Sequence, residues 1–208
     1  MKLLLYTTFF YTFFYSSLFC FFIDLFAYNC RVNSHQLTYE IVLSEYRKMT
    51  PLVLFNLTTS YSYFYIFHKY CLDYQSNTLH PIVNFILWII TTDVLFYTIH
   101  KAFHHKYLYS FHSIHHEFRY TYGMGAIYAH PLEFYLANLL PVSLPMVLYG
   151  IPIWLCNYIV LFATAYTVII SHGGYKLHLA TNHLHHHLKY KCNYGLLKFD
   201  MLMGTKCF

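Results

Sequence analysis

The chain has 208 residues, enough for one domain, with 58% apolar and only 10% charged residues. Soluble domains carry about 25% charged residues, so this composition disfavours a water-soluble globular protein and rules out a disordered tail. The 13 Lys and Arg against 8 acids leave a net charge of +5, too small in so apolar a chain to suit nucleic-acid binding.

In chain order, residues 3–27 are apolar except for Asp24. At ~1.5 Å per residue they can cross a ~30 Å bilayer, and they read as a retained helix rather than a cleaved signal peptide. Residues 51–67 form a weaker apolar run, diluted by Asn56, Thr58, Thr59 and Ser60. Residues 81–99 are strongly apolar, with one acid, Asp93. Residues 131–171 are too long for one span, and Gly150 and Pro152 interrupt them. The reading is a hairpin of two membrane helices, 132–149 and 152–171. The expected fold class is therefore all-α: a polytopic integral membrane protein with about four to five transmembrane helices under a His-rich helical cap. Residues 1–90 hold N-terminal helices and loops without a motif, and 91–208 hold the motif-bearing region, both in one domain.

Charge sets the expected orientation. Eight of the 13 cations lie in segments 100–130 and 172–208, which the hairpin puts on one face. The positive-inside rule makes that face cytosolic. The six cysteines, Cys20, Cys30, Cys71, Cys156, Cys192 and Cys207, form no CxxC pair and read as free thiols. The 24 Tyr and 20 Phe read as hydrophobic filler.

The 16 histidines are the informative residues, because few folds need that many for packing. His100 and His104 form HxxxH. His112, His115 and His116 form HxxHH, and so do His183, His186 and His187. His172 follows the last apolar run, and His178 lies between it and the second HxxHH. On a helix, residues three or four apart share a face, so each box can project two or more imidazoles to one point. The boxes alone hold eight imidazoles, more than one ion can use, and two ions with four or five nitrogens each would employ them. Imidazole suits Fe, Zn, Cu and Ni alike. The lone His35, His68 and His80 read as surface or capped residues, His130 as structural or as a support behind the ligands rather than a ligand, and His185 as off its box's ligand face.

These residues carry a resemblance. The stretch from Asp93 to Thr205 includes Tyr97-Thr-Ile-His100-Lys-Ala-Phe-His104, His112-Ser-Ile-His115-His116-Glu117 and His130-Pro131-Leu132-Glu133. It continues through Ser171-His172-Gly-Gly-Tyr175, His183-Leu-His-His186-His187, Asn193-Tyr194-Gly195, Asp200 and Gly204-Thr205. In order and spacing it resembles the fatty acid hydroxylase/sterol desaturase superfamily of integral-membrane di-iron enzymes. The resemblance implies O2-dependent oxidation of a lipid C–H bond by two Fe ions, for which Zn can substitute in recombinant material. It implies electrons from NAD(P)H through cytochrome b5 and its reductase, in the endoplasmic reticulum or an equivalent membrane, with the His boxes facing the cytosol. It assigns His100, His104, His112, His115, His116, His172, His178, His183, His186 and His187 as metal ligands. The stretch between Tyr175 and His183 is shorter than in many sterol-acting members.

Neutral imidazoles leave metal charge poorly compensated, and nearby acids are expected to orient the rings. Asp93, Glu117, Glu133 and Asp200 are the candidates. Two other readings stand beside the hydroxylase: a membrane lipid desaturase, which His100–His105 as HxxxxH would suit, and a non-catalytic metal-binding or transport protein.

Overall fold

The computed structural model describes residues 2–31, 36–71, 79–118, 120–175 and 181–207. His35 and His178 lie outside these, as do the side chains of His68 and Cys71. The architecture is all-helical: α1 (Lys2–Phe26), α2 (Tyr39–Cys71), α3 (Pro81–Phe103), α4 (Tyr109–His112), α5 (Pro131–Leu148), α6 (Ile153–Ser171), α7 (Thr181–Lys189) and α8 (Phe199–Leu202). Among the described residues, four helices are long and apolar enough to cross a membrane: Thr7–Phe26 within α1, then α3, α5 and α6. The chain is thus a polytopic membrane protein. The 132–149 and 152–171 hairpin is present as α5 and α6, turned at Gly150 in the left-handed region (φ 56°).

The run at 51–67 is part of one longer helix, α2, which begins at Tyr39 and carries Pro51 within it. Its polar residues have work in the interior. Asn56 is fully buried, and its Nδ2 donates to the carbonyls of Ile127 and Ala129, each at 2.9 Å. This helix lies antiparallel to α1: Tyr46 meets Asp24 at one end, and Phe64 packs on Phe13 further along.

Two His-Pro pairs start helices. The His80 Nδ1 accepts the Ile82 N–H ahead of α3, and the His130 Nδ1 accepts the Leu132 N–H ahead of α5. Each proline takes the first helical position, where a missing N–H costs nothing. The surface reading of His80 and the structural reading of His130 both hold.

Asp24 is the lone acid of the first apolar run, and it is fully buried. Such a charge persists only when paired. Arg31 pairs with it at 2.6 Å, Tyr46 and Tyr175 donate hydroxyls, and the Gly123 N–H donates at 2.7 Å. A Cβ at Gly123 would lie 2.9 Å from this carboxylate, so glycine is needed there. The cluster joins α1 and α2 to the loop before α5 and to the segment after His172.

The free-thiol reading fails at one pair. Cys192 and Cys207 form a disulfide with Cα atoms 5.7 Å apart, whereas Cys20, Cys30 and Cys156 are free. No motif spacing marks the pair. Reciprocal bonds between Asn193 and the Cys207 backbone, at 2.9 and 3.2 Å, bring the two together.

Replacing Asp24 with Ala leaves Arg31 buried without its partner, a class of change that costs about 3–5 kcal/mol. Thermal unfolding in detergent should show a midpoint drop of roughly 10 °C. A midpoint within about 2 °C of the parent chain would show that the cluster is energetically idle.

Candidate metal centre

The histidines reach the site from four places. His100 sits in the last turn of α3, and His104 caps its end. His112 ends α4, a single turn, and His115 and His116 lie in the turn that follows rather than on a continuous helix. His183, His186 and His187 lie on α7 as expected. His172 directly follows a π-helical turn, Tyr166–Ser171. There the Thr167 carbonyl accepts both the backbone N–H of His172 at 3.0 Å and its ring Nδ1–H at 2.9 Å. The wider π turn thus fixes the ring through the same oxygen that holds the chain.

The side chains gather into two groups. His100, His104, His112, His116 and His186 form the first, and His115, His172, His183 and His187 the second, with donor atoms in each group within 4.8 Å of one another. All but the half-buried His104 are buried. Each HxxHH box is divided between the groups. Residues i and i+4 of the first box serve the first group, and its i+3 residue serves the second. The other box does the reverse. On a helix, positions i and i+4 lie about 40° apart around the axis, and the i+3 residue lies about 60° from i on the other side. On α7, one helical turn thus sends imidazoles to both groups. His105 and His185 join neither group.

Ring orientation supplies the chemical test of fit. The Nδ1 of His100 meets the Tyr194 carbonyl at 2.8 Å, and that of His186 meets the Cys192 carbonyl at 2.7 Å. The Nδ1 of His115 meets the Tyr128 carbonyl at 3.3 Å, and that of His112 meets Glu133 Oε1 at 2.6 Å. A carbonyl can only accept, so Nδ1 carries the proton and Nε2 presents a lone pair inward. Yet the Nε2 atoms of His100 and His112 are 3.2 Å apart, and those of His115 and His172 3.4 Å apart. Facing lone pairs repel unless a cation lies between them. Nitrogens ~2.1 Å from one cation stand ~3.0–3.4 Å apart in octahedral or tetrahedral arrangements, which is the spacing these pairs show. The donor set fits metal ions.

Of the four candidate acids, Glu133 alone bonds a ring of either group. Asp93 and Asp200 act on backbone, and Glu117 on side chains. Asp93 accepts four N–H groups, those of Leu196, Leu197, Lys198 and Phe199, at 2.9–3.0 Å. Asp200 accepts the N–H groups of Tyr194 and Gly195 at 2.8 and 2.6 Å. Together they hold the segment whose carbonyls orient His100 and His186. Glu117 bonds Lys48 and the Tyr128 hydroxyl, beside the carbonyl that takes His115. Sequence patterns could not reveal Tyr128, Thr167, Cys192 or Tyr194, because they contribute backbone carbonyls that any residue has.

Burial keeps the imidazoles neutral, the form that binds metal. It pushes His104, His112 and His172 down to about 3 and His115 to about 4, with neighbouring imidazoles adding to the effect at His104 and His172. His116, His183, His186 and His187 are lowered for the same reasons.

Beneath the histidines lies an apolar cavity of about 80 Å³. His100, His115, His172 and Glu133 line one end, and phenyl rings from α1 and α2 line much of the rest. Phe9, Phe13, Phe64 and Phe67, read from the sequence as filler, are cavity wall.

Fold and site define a polytopic helical membrane protein built around a histidine cluster able to hold metal above an apolar chamber. Residues 85–205 match the family model described as fatty acid hydroxylase. A fatty acid hydroxylase of Mycosarcoma maydis is 29% identical over 74% of this chain and 43% of its own length. The human fatty acid hydroxylase domain-containing protein 2 is 35% identical over 60% of this chain and 38% of its own. A C-4 methylsterol oxidase of Schizosaccharomyces pombe is 28% identical over 74% of this chain and 59% of its own. The chain thus spans about half the length of these relatives. No solved structure matches it. The chain belongs to the fatty acid hydroxylase family, as the His boxes suggested.

The lowered histidines have a consequence for the metal-free protein. Unfolded imidazoles take up protons near pH 6.5, whereas the folded ones resist until about 3–4. The unfolded state binds more protons between these limits, so stability falls as pH falls. The melting temperature of chelator-stripped protein should decline steadily from pH 7 to pH 4.5, and a flat profile would contradict the neutral cluster.

Proposed function

We propose that this chain is a lipid hydroxylase that uses two His-held iron ions, O2 and two electrons to oxidise a C–H bond of a fatty acyl, ceramide or sterol lipid. The observation that carries the reading is the position of both donor groups at the head of an apolar cavity. Names among the relatives point the same way, fatty acid hydroxylase and methylsterol oxidase being lipid oxidations.

His100, His104, His112, His116 and His186 would hold one ion, and His115, His172, His183 and His187 the other. His178, outside the described residues, stands beside them as the tenth candidate ligand. Iron supplies the redox chemistry that an unactivated C–H bond requires, which zinc lacks. The chain's own part is to hold ring nitrogens inward through backbone carbonyls and to place a carboxylate, Glu133, against His112. The phenyl-lined wall keeps water from the reacting carbon. Residues 91–208 form the catalytic region, in one domain with the preceding helices, which build part of the cavity. His105 joins neither donor group, so the HxxxxH spacing lends the desaturase alternative no support.

Electrons would come from NAD(P)H through cytochrome b5 and its reductase at a cytosol-facing surface of the endoplasmic reticulum or an equivalent membrane. The cation excess beside the His boxes supports that orientation, and so does Lys48, which bonds Glu117 next to the first HxxHH.

Expression in a hydroxylase-deficient host followed by lipid mass spectrometry tests the activity, since a hydroxyl and a double bond change mass differently. His115→Ala and His186→Ala, one from each group, should each abolish the product, whereas His80→Ala should retain it. Retained product in both box variants would sink the reading. Metal analysis should give two ions per chain in the parent protein, and fewer in each box variant. A glycosylation tag placed after Phe208 should stay unmodified; its modification would reverse the topology.

A further inference from the structure

The backbone carbonyls that orient the rings come from different parts of the chain, and the division follows the two donor groups. In the first group, His100 and His186 rest on the carbonyls of Tyr194 and Cys192, at 2.8 and 2.7 Å, in the segment that Asp93 and Asp200 hold. In the second group, His172 rests on the Thr167 carbonyl at 2.9 Å and His115 on that of Tyr128 at 3.3 Å. The buried Nδ1 atoms of His183 and His187 have no partner among the described residues. Ring direction in the second group therefore depends on two carbonyls, and the Tyr128 contact is the longer. Hydrogen bonds of this kind run to ~3.2 Å, so a shift of a few tenths of an ångström at Tyr128 would release His115.

Tyr128 lies on the irregular stretch between the Gly123–Ala126 turn and α5. Neither helix nor strand fixes this backbone, yet its carbonyls are aimed. The Nδ2 of Asn56 donates to the carbonyls of Ile127 and Ala129, each at 2.9 Å, and that of Asn138 to Ala126 at 2.7 Å. One bond would let the intervening peptide pivot. The pair at Ile127 and Ala129 straddles Tyr128 and fixes the direction of its carbonyl. Asn56 is fully buried, and its Oδ1 has no partner among the described residues. Burying that oxygen carries a cost that an apolar side chain in this apolar run would not incur. Packing thus does not call for an amide at this position, whereas two buried carbonyls do.

Resting on the two-ion reading of the histidines, we propose that Asn56 is a positioning residue for the second donor group. It sets the Tyr128 carbonyl that orients the His115 ring, and so governs the binding of one ion and not the other. α2 lies outside residues 85–205, the part that matches the family model, so a helix beyond that region tunes one centre selectively. Removing the amide leaves the Ile127 and Ala129 carbonyls buried and unpaired. The stretch then turns toward other donors, and His115 loses the acceptor of its Nδ1 proton. The Tyr194, Cys192 and Glu133 supports of the first group are untouched.

The test titrates the full chain in detergent, stripped of metal, with zinc, which binds nitrogen donors without redox chemistry. The parent chain should bind two ions. Asn56→Leu should weaken one of them roughly tenfold to a hundredfold, the usual effect of losing a group that orients a ligand, and leave the other within about twofold. Asn56→Asp keeps the shape and offers at most one donor. It should lose an intermediate share, and it serves if the leucine variant does not fold. Leu57→Ala, at a core residue one place along α2, should lower the melting temperature yet retain both affinities. Added to His115→Ala, Asn56→Leu should change zinc binding no further; added to His104→Ala, it should have its full effect. Four results would each overturn the proposal and leave the two-ion reading intact: equal weakening of both ions, unchanged affinities in both Asn56 variants, the same loss in Leu57→Ala, or full additivity with His115→Ala. A parent chain that binds fewer than two zinc ions would overturn both.

Discussion

Everything in this molecule depends on inward-facing, uncharged imidazole nitrogens. A ring left to itself rotates and chooses its own tautomer. Here, backbone carbonyls of Tyr128, Thr167, Cys192 and Tyr194 take the Nδ1 protons of His115, His172, His186 and His100. Glu133 does the same for His112. Once those protons are committed outward, the lone pairs must converge, and burial prevents protonation from relieving their repulsion. Cation binding is then the remaining way to satisfy them.

The acids serve this arrangement at one remove. Asp93 rises from a membrane helix to collect four consecutive N–H groups, satisfying a buried charge with backbone dipoles rather than with a cation. Asp200 gathers the N–H groups just before. The Cys192–Cys207 disulfide and the Asn193 bonds close the same segment from its other side. A stretch with little secondary structure is thereby made stiff enough to present two carbonyls to two rings.

The N-terminal helices complete the molecule, although the family match begins only at residue 85. Asp24 and Arg31 lock α1 to the segment after His172, and Asn56 on α2 holds the carbonyls of Ile127 and Ala129 on either side of Tyr128. The same two helices supply phenyl rings to the chamber. The N-terminal helices therefore both brace the histidine site and share the cavity wall with α5 and α6.

Composition and spacing alone determined a helical membrane protein, the α5–α6 hairpin, the His boxes and the family, because apolar length and i, i+3, i+4 recurrence are local properties. They could not assign Asp93 and Asp200 to the backbone or pair Cys192 with Cys207, since those partners meet only after the chain has folded back on itself. Nor could they separate wall from filler among the phenylalanines: Phe67 and Phe55 look alike in sequence, yet one lines the chamber and the other is exposed. Which histidines share a centre was likewise a tertiary decision. Three helix ends and a turn must converge before His186 can join the histidines of the first box while its neighbour His187 joins those of the second, because sequence periodicity sets the direction of a side chain but not what stands opposite it.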